Sequence, residues 1–146
     1  VLLMPSGVRR CVVTSSLYIA YLLNLYGKCK GVELTGGTLR QDSYLFGPFT
    51  NLTLSHFTVD IAFIGTMALS VEKGITDPDL MTAETKRTFI HNARQAVLVA
   101  DHKKMGRVET MTVESLTALH ALVTTQEAPL ETVEEIRGLG VQVITC

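Results

Sequence analysis

Five apolar stretches of this chain each end in small or polar residues. Val12-Val13 runs into Thr14-Ser15-Ser16, Leu34 into Thr35-Gly36-Gly37, and Ile61 to Ile64 into Gly65-Thr66. Val97 to Ala100 runs into Asp101-His102-Lys103-Lys104, and Leu122-Val123 into Thr124-Thr125. Short buried runs of this kind, separated by stretches with helical spacing, predict parallel strands connected by helices. Ligands of open α/β sheets bind beyond the carboxyl ends of the strands, so the pattern predicts one composite polar pocket suited to a phosphate.

The pattern places the elements as follows. Cys11 to Val13 has strand composition, and Ser15 or Ser16 caps a helix from Leu17 to about Tyr26 that Gly27 closes. Val32 to Thr35 forms a second strand, and Thr38 to Pro48 has the Gly, Pro, Asp and Ser content of a loop. A helix over Phe49 to Phe57 and a strand over Thr58 to Ile64 make a second repeat. Met67 to Asp79 has no period and reads as loop with short elements, followed by a helix over Thr82 to Ala93. Gln95 to Ala100 is a buried strand, Val108 to Val113 alternates like an exposed one, and Leu119 to Val123 is again buried. Pro129 opens a helix that Gly138 closes, and Val141 to Ile144 ends the chain as a strand.

Composition adds limits. A length of 146 residues fits one domain, and 47% hydrophobic against 18% charged residues excludes disorder. No apolar run approaches the roughly 20 residues that span a bilayer. The formal charge of −1 gives no diffuse attraction to nucleic acid. Three cysteines without C-x-x-C spacing favour reduced thiols and a cytoplasmic protein, and the four histidines lack metal spacing, so neither metal nor cofactor is expected. The abrupt apolar start, Val1-Leu2-Leu3-Met4, lacks the basic region of a signal peptide and reads as a cut edge, so the expectation is a single domain over residues 1–146 truncated at its amino end.

Several groups carry candidate chemistry. Thr14-Ser15-Ser16 before a helix offers hydroxyls and free N–H groups to an anion, although Ser and Thr are also ordinary caps, the stronger reading for the triplet alone. Gly36-Gly37 permits close backbone approach to a ligand and is equally a plain turn. Asp101-His102-Lys103-Lys104-Met105-Gly106 places a carboxylate and two ammonium groups at the exit of a buried strand, where they can bind hydroxyls and phosphate together; a solvated charged turn is the plainer alternative. Asp60, inside an apolar strand, needs a partner or a place at the strand's start, and structural and ligand roles stand level. Glu84, Lys86 and Arg87 read first as an exposed helix face. No phosphate-loop, dinucleotide or nucleophile-elbow motif is present.

In order along the chain, V-V-T-S-S-L, L-T-G-G-T-L-R, F-G-P, V-D-I-A-F-I-G, K-G-I-T, E-T-K-R and V-A-D-H-K-K-M-G resemble the carboxyl-terminal effector domain of the DeoR family over roughly Cys11 to Thr125. The resemblance implies a Rossmann-like α/β fold, a mostly parallel sheet with helices on both faces, related to sugar-phosphate isomerases. It implies a domain that senses a phosphorylated sugar or polyol and controls operator DNA through a helix-turn-helix outside this chain. The family's T-N-S turn falls on Thr14, Ser15 and Ser16, its G-G-x-x-R turn on Gly36, Gly37 and Arg40, and its D-S-S-K-F-G turn on Asp101, Lys104 and Gly106. Asp60, Gly65 and Lys86, within the other matching stretches, complete the candidate effector-binding set. Ser15 stands in place of Asn, His102-Lys103 in place of two serines, and the family's upstream Gly-Thr-Thr turn has no counterpart between Val1 and Arg10.

Three functions follow as expectations. The first is a ligand-sensing regulatory domain, working as a homo-oligomer and most consistent with a repressor. The second is an isomerase with Asp60, Glu84 or Asp101 as base and Lys104 or Lys86 holding phosphate. The third is an assembly module with a vestigial pocket. Sensing is favoured because the resemblance is to regulators and fold kinship does not transfer catalysis.

Overall fold

The computed structural model describes residues 11–146, and the chain divides into two compact units, Val1–His56 and Phe57–Cys146. The upstream stretch Val1 to Arg10, where the family's Gly-Thr-Thr turn lacks a counterpart, lies outside the described residues.

The described part of the first unit is a βαβ element followed by a hairpin and a helix. Strand β1 (Cys11–Thr14) pairs in parallel with β2 (Gly31–Leu34), Cys11 beside Gly31 and Thr14 beside Leu34. Helix α1 (Leu17–Leu25) connects them. Ser16 starts it, its Oγ accepting from the Ile19 N–H at 3.2 Å, and Gly27 at φ 56 follows its end, as a cap glycine does. The stretch expected as loop, Thr38 to Pro48, instead forms a small antiparallel hairpin, β3 (Thr38–Leu39) with β4 (Leu45–Phe46). Its turn places Ser43 at φ 64, and the Arg40 N–H donates to the Tyr44 carbonyl at 2.9 Å. Helix α2 (Pro48–Ser55) closes the unit.

The second unit is built on four parallel strands in the order β11-β10-β8-β5: β5 (Val59–Gly65), β8 (Ala93–Val99), β10 (Ala121–Thr124) and β11 (Gln142–Thr145). Register puts Gly65 beside Val99, Val99 beside Val123, and Val123 beside Ile144. Helices α3 (Leu80–His91) and α4 (Leu130–Gly138) bury Ala83, Ile90, Val133 and Ile136 in one core with Ala62, Ile64, Ala96, Leu98, Leu122 and Val143. The alternate positions Ile61, Phe63, Val99 and Ile144 stay exposed, so within this unit both helices lie on one face of the sheet. The parallel α/β architecture is as the strand pattern predicts.

A second, antiparallel sheet, β6-β7-β9, occupies stretches read as loop or as a longer strand: β6 (Ala68–Ser70), β7 (Gly74–Asp77) and β9 (Met111–Glu114). Strand β9 is shorter than the expected Val108 to Val113, and Val113 is a core residue rather than part of an exposed strand. Pro129 precedes α4 instead of lying within its first turn, and the positive-φ glycine after that helix is Gly140.

Candidate functional site

In the first unit the in-register pairing of β1 and β2 brings their following turns together. The Thr35 N–H donates to the Thr14 carbonyl at 3.1 Å, and Thr14, Ser15, Ser16 and Thr35 are all buried. The start of α1 is largely satisfied from within: the Ser16 N–H donates to Thr14 Oγ1 at 3.1 Å, and the Leu17 N–H to the Ser43 carbonyl at 2.9 Å. Much of this triplet's hydrogen bonding is thus capping.

Gly36 and Gly37 lie against the first turn of α2. Thr50, fully buried, donates from Oγ1 to the Gly36 carbonyl at 2.7 Å. Gly37 has φ 111, and a Cβ there would collide with Thr50 Oγ1 and with the Phe46 carbonyl oxygen. The close approach this glycine permits is to the protein's own backbone. Gly47, which precedes α2, supplies no side-chain cap, and Pro48 occupies its first position. Arg40 is exposed, with its guanidinium carbon 5.3 Å from the centroid of the Phe46 ring, a cation–π distance.

In the second unit the carboxyl ends of β5, β8 and β10 are neighbours. β5 ends at Gly65, followed by buried Thr66, whose Oγ1 lies 2.9 Å from the Ala68 carbonyl and 3.1 Å from that of Thr76. β8 leads into a 3-10 turn over His102–Lys104 that Asp101 caps, its Oδ1 accepting from the Lys103 N–H at 2.8 Å. Met105, buried, anchors the turn by a bridge to Leu69, and Gly106 at φ 70 releases the chain. Asp101 is exposed and Lys104 half-buried. From the end of β10, Thr125 Oγ1 lies 2.8 Å from His102 Nδ1, and Glu127 Oε2 lies 3.7 Å from the same nitrogen. Gly65, Asp101, Lys104 and Gly106 therefore share the carboxyl edge of one sheet.

Asp60 and Lys86 have different surroundings. Asp60 is the second residue of β5, at its amino end, 93% exposed and 3.9 Å from Arg94. That position, at the strand's start, is the solvent-facing one the sequence allowed, and an exposed pair of this kind contributes little. Lys86, on α3, donates from Nζ to Asp77 Oδ1 at 2.8 Å and Oδ2 at 2.7 Å. Burial pushes the Asp77 carboxyl above its ordinary range, against the pull of Lys86. Glu84 is exposed on the same helix.

Sequence reasoning passed over Asp77, Thr50 and Glu127. The Thr76-Asp77-Pro78-Asp79 string reads as a turn, and only the position of Lys86 nine residues later, on the helix that follows, marks Asp77 as a buried partner. Among the described residues no group of His, Cys, Asp and Glu is placed to hold a metal ion, the three cysteines are free, and no helix is long and apolar enough to cross a membrane. In the first unit a cleft of about 340 Å³ lined by Leu23, Cys29 and Gly31 opens at the amino end of β2, not at its carboxyl turn.

Residues 4–126 match the family described as the DeoR C terminal sensor domain. The chain is 36% identical over 133 residues to the HTH-type transcriptional regulator GlpR of Haloferax volcanii, covering 90% of this chain and 51% of that protein. It is 31% identical over 113 residues to the glycerol-3-phosphate regulon repressor of Haemophilus influenzae, covering 77% and 44%. To the repressor of the same name in Escherichia coli it is 28% identical over 136 residues, covering 92% and 54%. The chain spans about half the length of the curated relatives it matches, and these relatives are regulators by name, not enzymes. With most of its length matched to that sensor domain, the chain belongs to the DeoR family of transcriptional regulators.

Proposed function

We propose that residues 1–146 serve as one effector-binding domain that recognises a phosphorylated sugar or polyol beyond the carboxyl ends of its parallel strands. In this reading the chain belongs to a cytoplasmic, homo-oligomeric repressor of carbohydrate metabolism. A helix-turn-helix outside this sequence binds operator DNA, and effector binding shifts the equilibrium that the DNA reader feels.

The observation that carries the reading is the capped turn from Asp101 to Gly106. It presents a carboxylate able to accept from ligand hydroxyls and, at Lys104, an ammonium able to pair with a phosphate, at the edge where open α/β sheets take ligands. Thr14, Ser15, Ser16, Gly36, Gly37 and Arg40 form the candidate set of the first unit, and Gly65, Asp101, Lys104 and Gly106 that of the second. Asp60 and Lys86 stand in the reading as outlying members, since one lies at the amino end of its strand and the other neutralises a buried carboxylate. The names of the Haemophilus and Escherichia relatives make glycerol 3-phosphate the first compound to try.

An isomerase reading has less support. It asks Lys86 to hold phosphate while that ammonium is bound to Asp77 by both carboxylate oxygens.

The test is operator binding by the intact regulator, with and without a panel of sugar and polyol phosphates, beside thermal shift of this chain with the same panel. At least one compound is expected to raise the melting temperature of the chain and release the operator. If none does either, the effector reading fails.

A further inference from the structure

At the edge of the second unit's sheet the surroundings of His102 bear on its tautomer. Glu127 is exposed, and its own backbone N–H first, then the Thr125 hydroxyl, hold its carboxyl below the ordinary range. An ionised carboxylate only accepts hydrogen bonds. Thr125 Oγ1 accepts from the His102 N–H at 3.4 Å and lies 2.8 Å from His102 Nδ1, where it can accept a second proton. The nearby Glu127 oxygen, 3.7 Å from Nδ1, favours a proton at the same place. The neutral ring is therefore the Nδ1–H tautomer, and no hydrogen bond or ion pair engages Nε2 among the described residues. The partner of one ring nitrogen fixes the role of the other.

Building on the sensor reading above, we propose that His102 is a specificity-determining residue whose Nε2 lone pair accepts a hydrogen bond from a hydroxyl of the bound phosphorylated metabolite. The two serines that the family pattern carries after the aspartate can each donate or accept. An imidazole tied to Thr125 through Nδ1 only accepts, and it reaches farther from the backbone. Phosphate oxygens, themselves acceptors, are excluded from that nitrogen and left to the ammonium groups of Lys103 and Lys104, while Asp101 supplies the other acceptor of the turn. The class of ligand selected is a phosphate ester bearing a free hydroxyl, in preference to an equally charged ester without one.

Two measurements on the 146-residue chain test this. Long-range nitrogen–proton correlation spectra should show His102 as the Nδ1–H tautomer, lost in Thr125→Val. Calorimetric titration with sn-glycerol 3-phosphate and with n-propyl phosphate, matched in carbon count and charge, should show a preference of about tenfold for the hydroxylated ester, the worth of one well-placed hydrogen bond. His102→Asn, whose amide nitrogen keeps the bond to Thr125 but leaves nothing at Nε2, should lower that preference to the share that Asp101 contributes, with propyl phosphate affinity unchanged. His102→Gln, which reaches the Nε2 position, should recover part of it. An Nε2–H tautomer, an equal affinity of the wild-type chain for the two esters, or a preference that His102→Asn leaves undiminished overturns the inference and leaves the sensor reading standing. Failure to bind either ester also overturns it, and the wider phosphate panel then decides the sensor reading separately.

Discussion

Lys86 donates to both carboxylate oxygens of Asp77, at 2.8 and 2.7 Å, with the Asp77 side chain fully buried and that of Lys86 21% exposed. The asymmetry of burial decides what each substitution costs. Lys86→Met strands a buried carboxylate without its counter-charge, which typically costs about 3–5 kcal/mol. Asp77→Asn leaves an ammonium that can turn toward water, so it should destabilise distinctly less. Urea denaturation of the two variants checks this, and equal losses would show that the pair is not governed by Asp77 desolvation.

The same carboxyl gives a pH signature opposite to that of most acidic groups. Burial raises Asp77 above its ordinary value of 3.8, so across the window from 3.8 up to its folded value the folded chain holds a proton that the unfolded chain has lost. Stability falls as pH rises through that window, and the drop should vanish in Asp77→Asn. Glu114 runs the other way. Burial opposes its ionisation, but the Ser115 N–H, His91 Nε2 at 2.6 Å and the charge of Arg87 outweigh that and hold it below 4.5. Its contribution is complete above 4.5 and disappears as pH falls through the lower, folded value. Glu114→Gln should therefore flatten the acid limb of a stability–pH curve while Asp77→Asn flattens the limb above 3.8. Curves in which the two variants exchange these effects would contradict both assignments.

The parts of the fold legible in sequence are those where local chemistry and tertiary need coincide. Ser16 and Gly27 bracket α1 because a hydroxyl satisfies an orphan N–H and a glycine accepts positive φ, and both requirements are local. The parallel strands β5 and β8 were visible through their apolar stretches, Ile61 to Ile64 and Val97 to Val99, but β8 begins at Ala93, where the spacing predicts the end of a helix, because Arg94 and Gln95 carry no apolar signal. The hairpin at Thr38 to Phe46 was not, since strands of two residues carry no period. Nor was Asp77, whose role depends on a lysine nine residues on. For the candidate site, sequence located the Asp101 to Gly106 turn and the two strand-end turns of the first unit, but left Gly36-Gly37 open between ligand approach and simple turn. The contact with Thr50 supplies a third reason for the glycines, packing against α2, which no local pattern announces.

That contact separates two adjacent glycines. Both have positive φ, 69 at Gly36 and 111 at Gly37, but a Cβ on Gly36 meets nothing within 4 Å, whereas one on Gly37 approaches the Phe46 carbonyl oxygen to 2.7 Å and collides with Thr50 Oγ1. Gly36→Ala should cost about 1 kcal/mol for its backbone conformation alone. Gly37→Ala adds the displacement of α2's first turn and should cost about 1–3 kcal/mol more. Thermal denaturation of the pair checks the order, and a Gly36 variant as damaged as the Gly37 variant would mean the cost is backbone strain and not the contact.

Arg87 ties α3 to the antiparallel sheet by a fork that lysine cannot copy. Its Nε donates to the Val113 carbonyl at 2.8 Å and its Nη2 to the Thr112 carbonyl at 2.7 Å, two successive acceptors on β9. A planar guanidinium presents both donors in fixed geometry, while a single ammonium on a flexible stem has to choose between them. Arg87→Lys should therefore cost about 1–3 kcal/mol. The loss has a location as well as a size, because β9 is an edge strand, paired among the described strands with β7 alone, and tied to α3 beside the fork by the His91–Glu114 contact. Releasing the fork should let β9 open by itself, so amide exchange at Thr112 and Val113 should quicken more than at Leu122 and Val123 in the parallel sheet. Exchange that quickens by the same factor in both sheets would mean that Arg87 supports the whole unit rather than this strand.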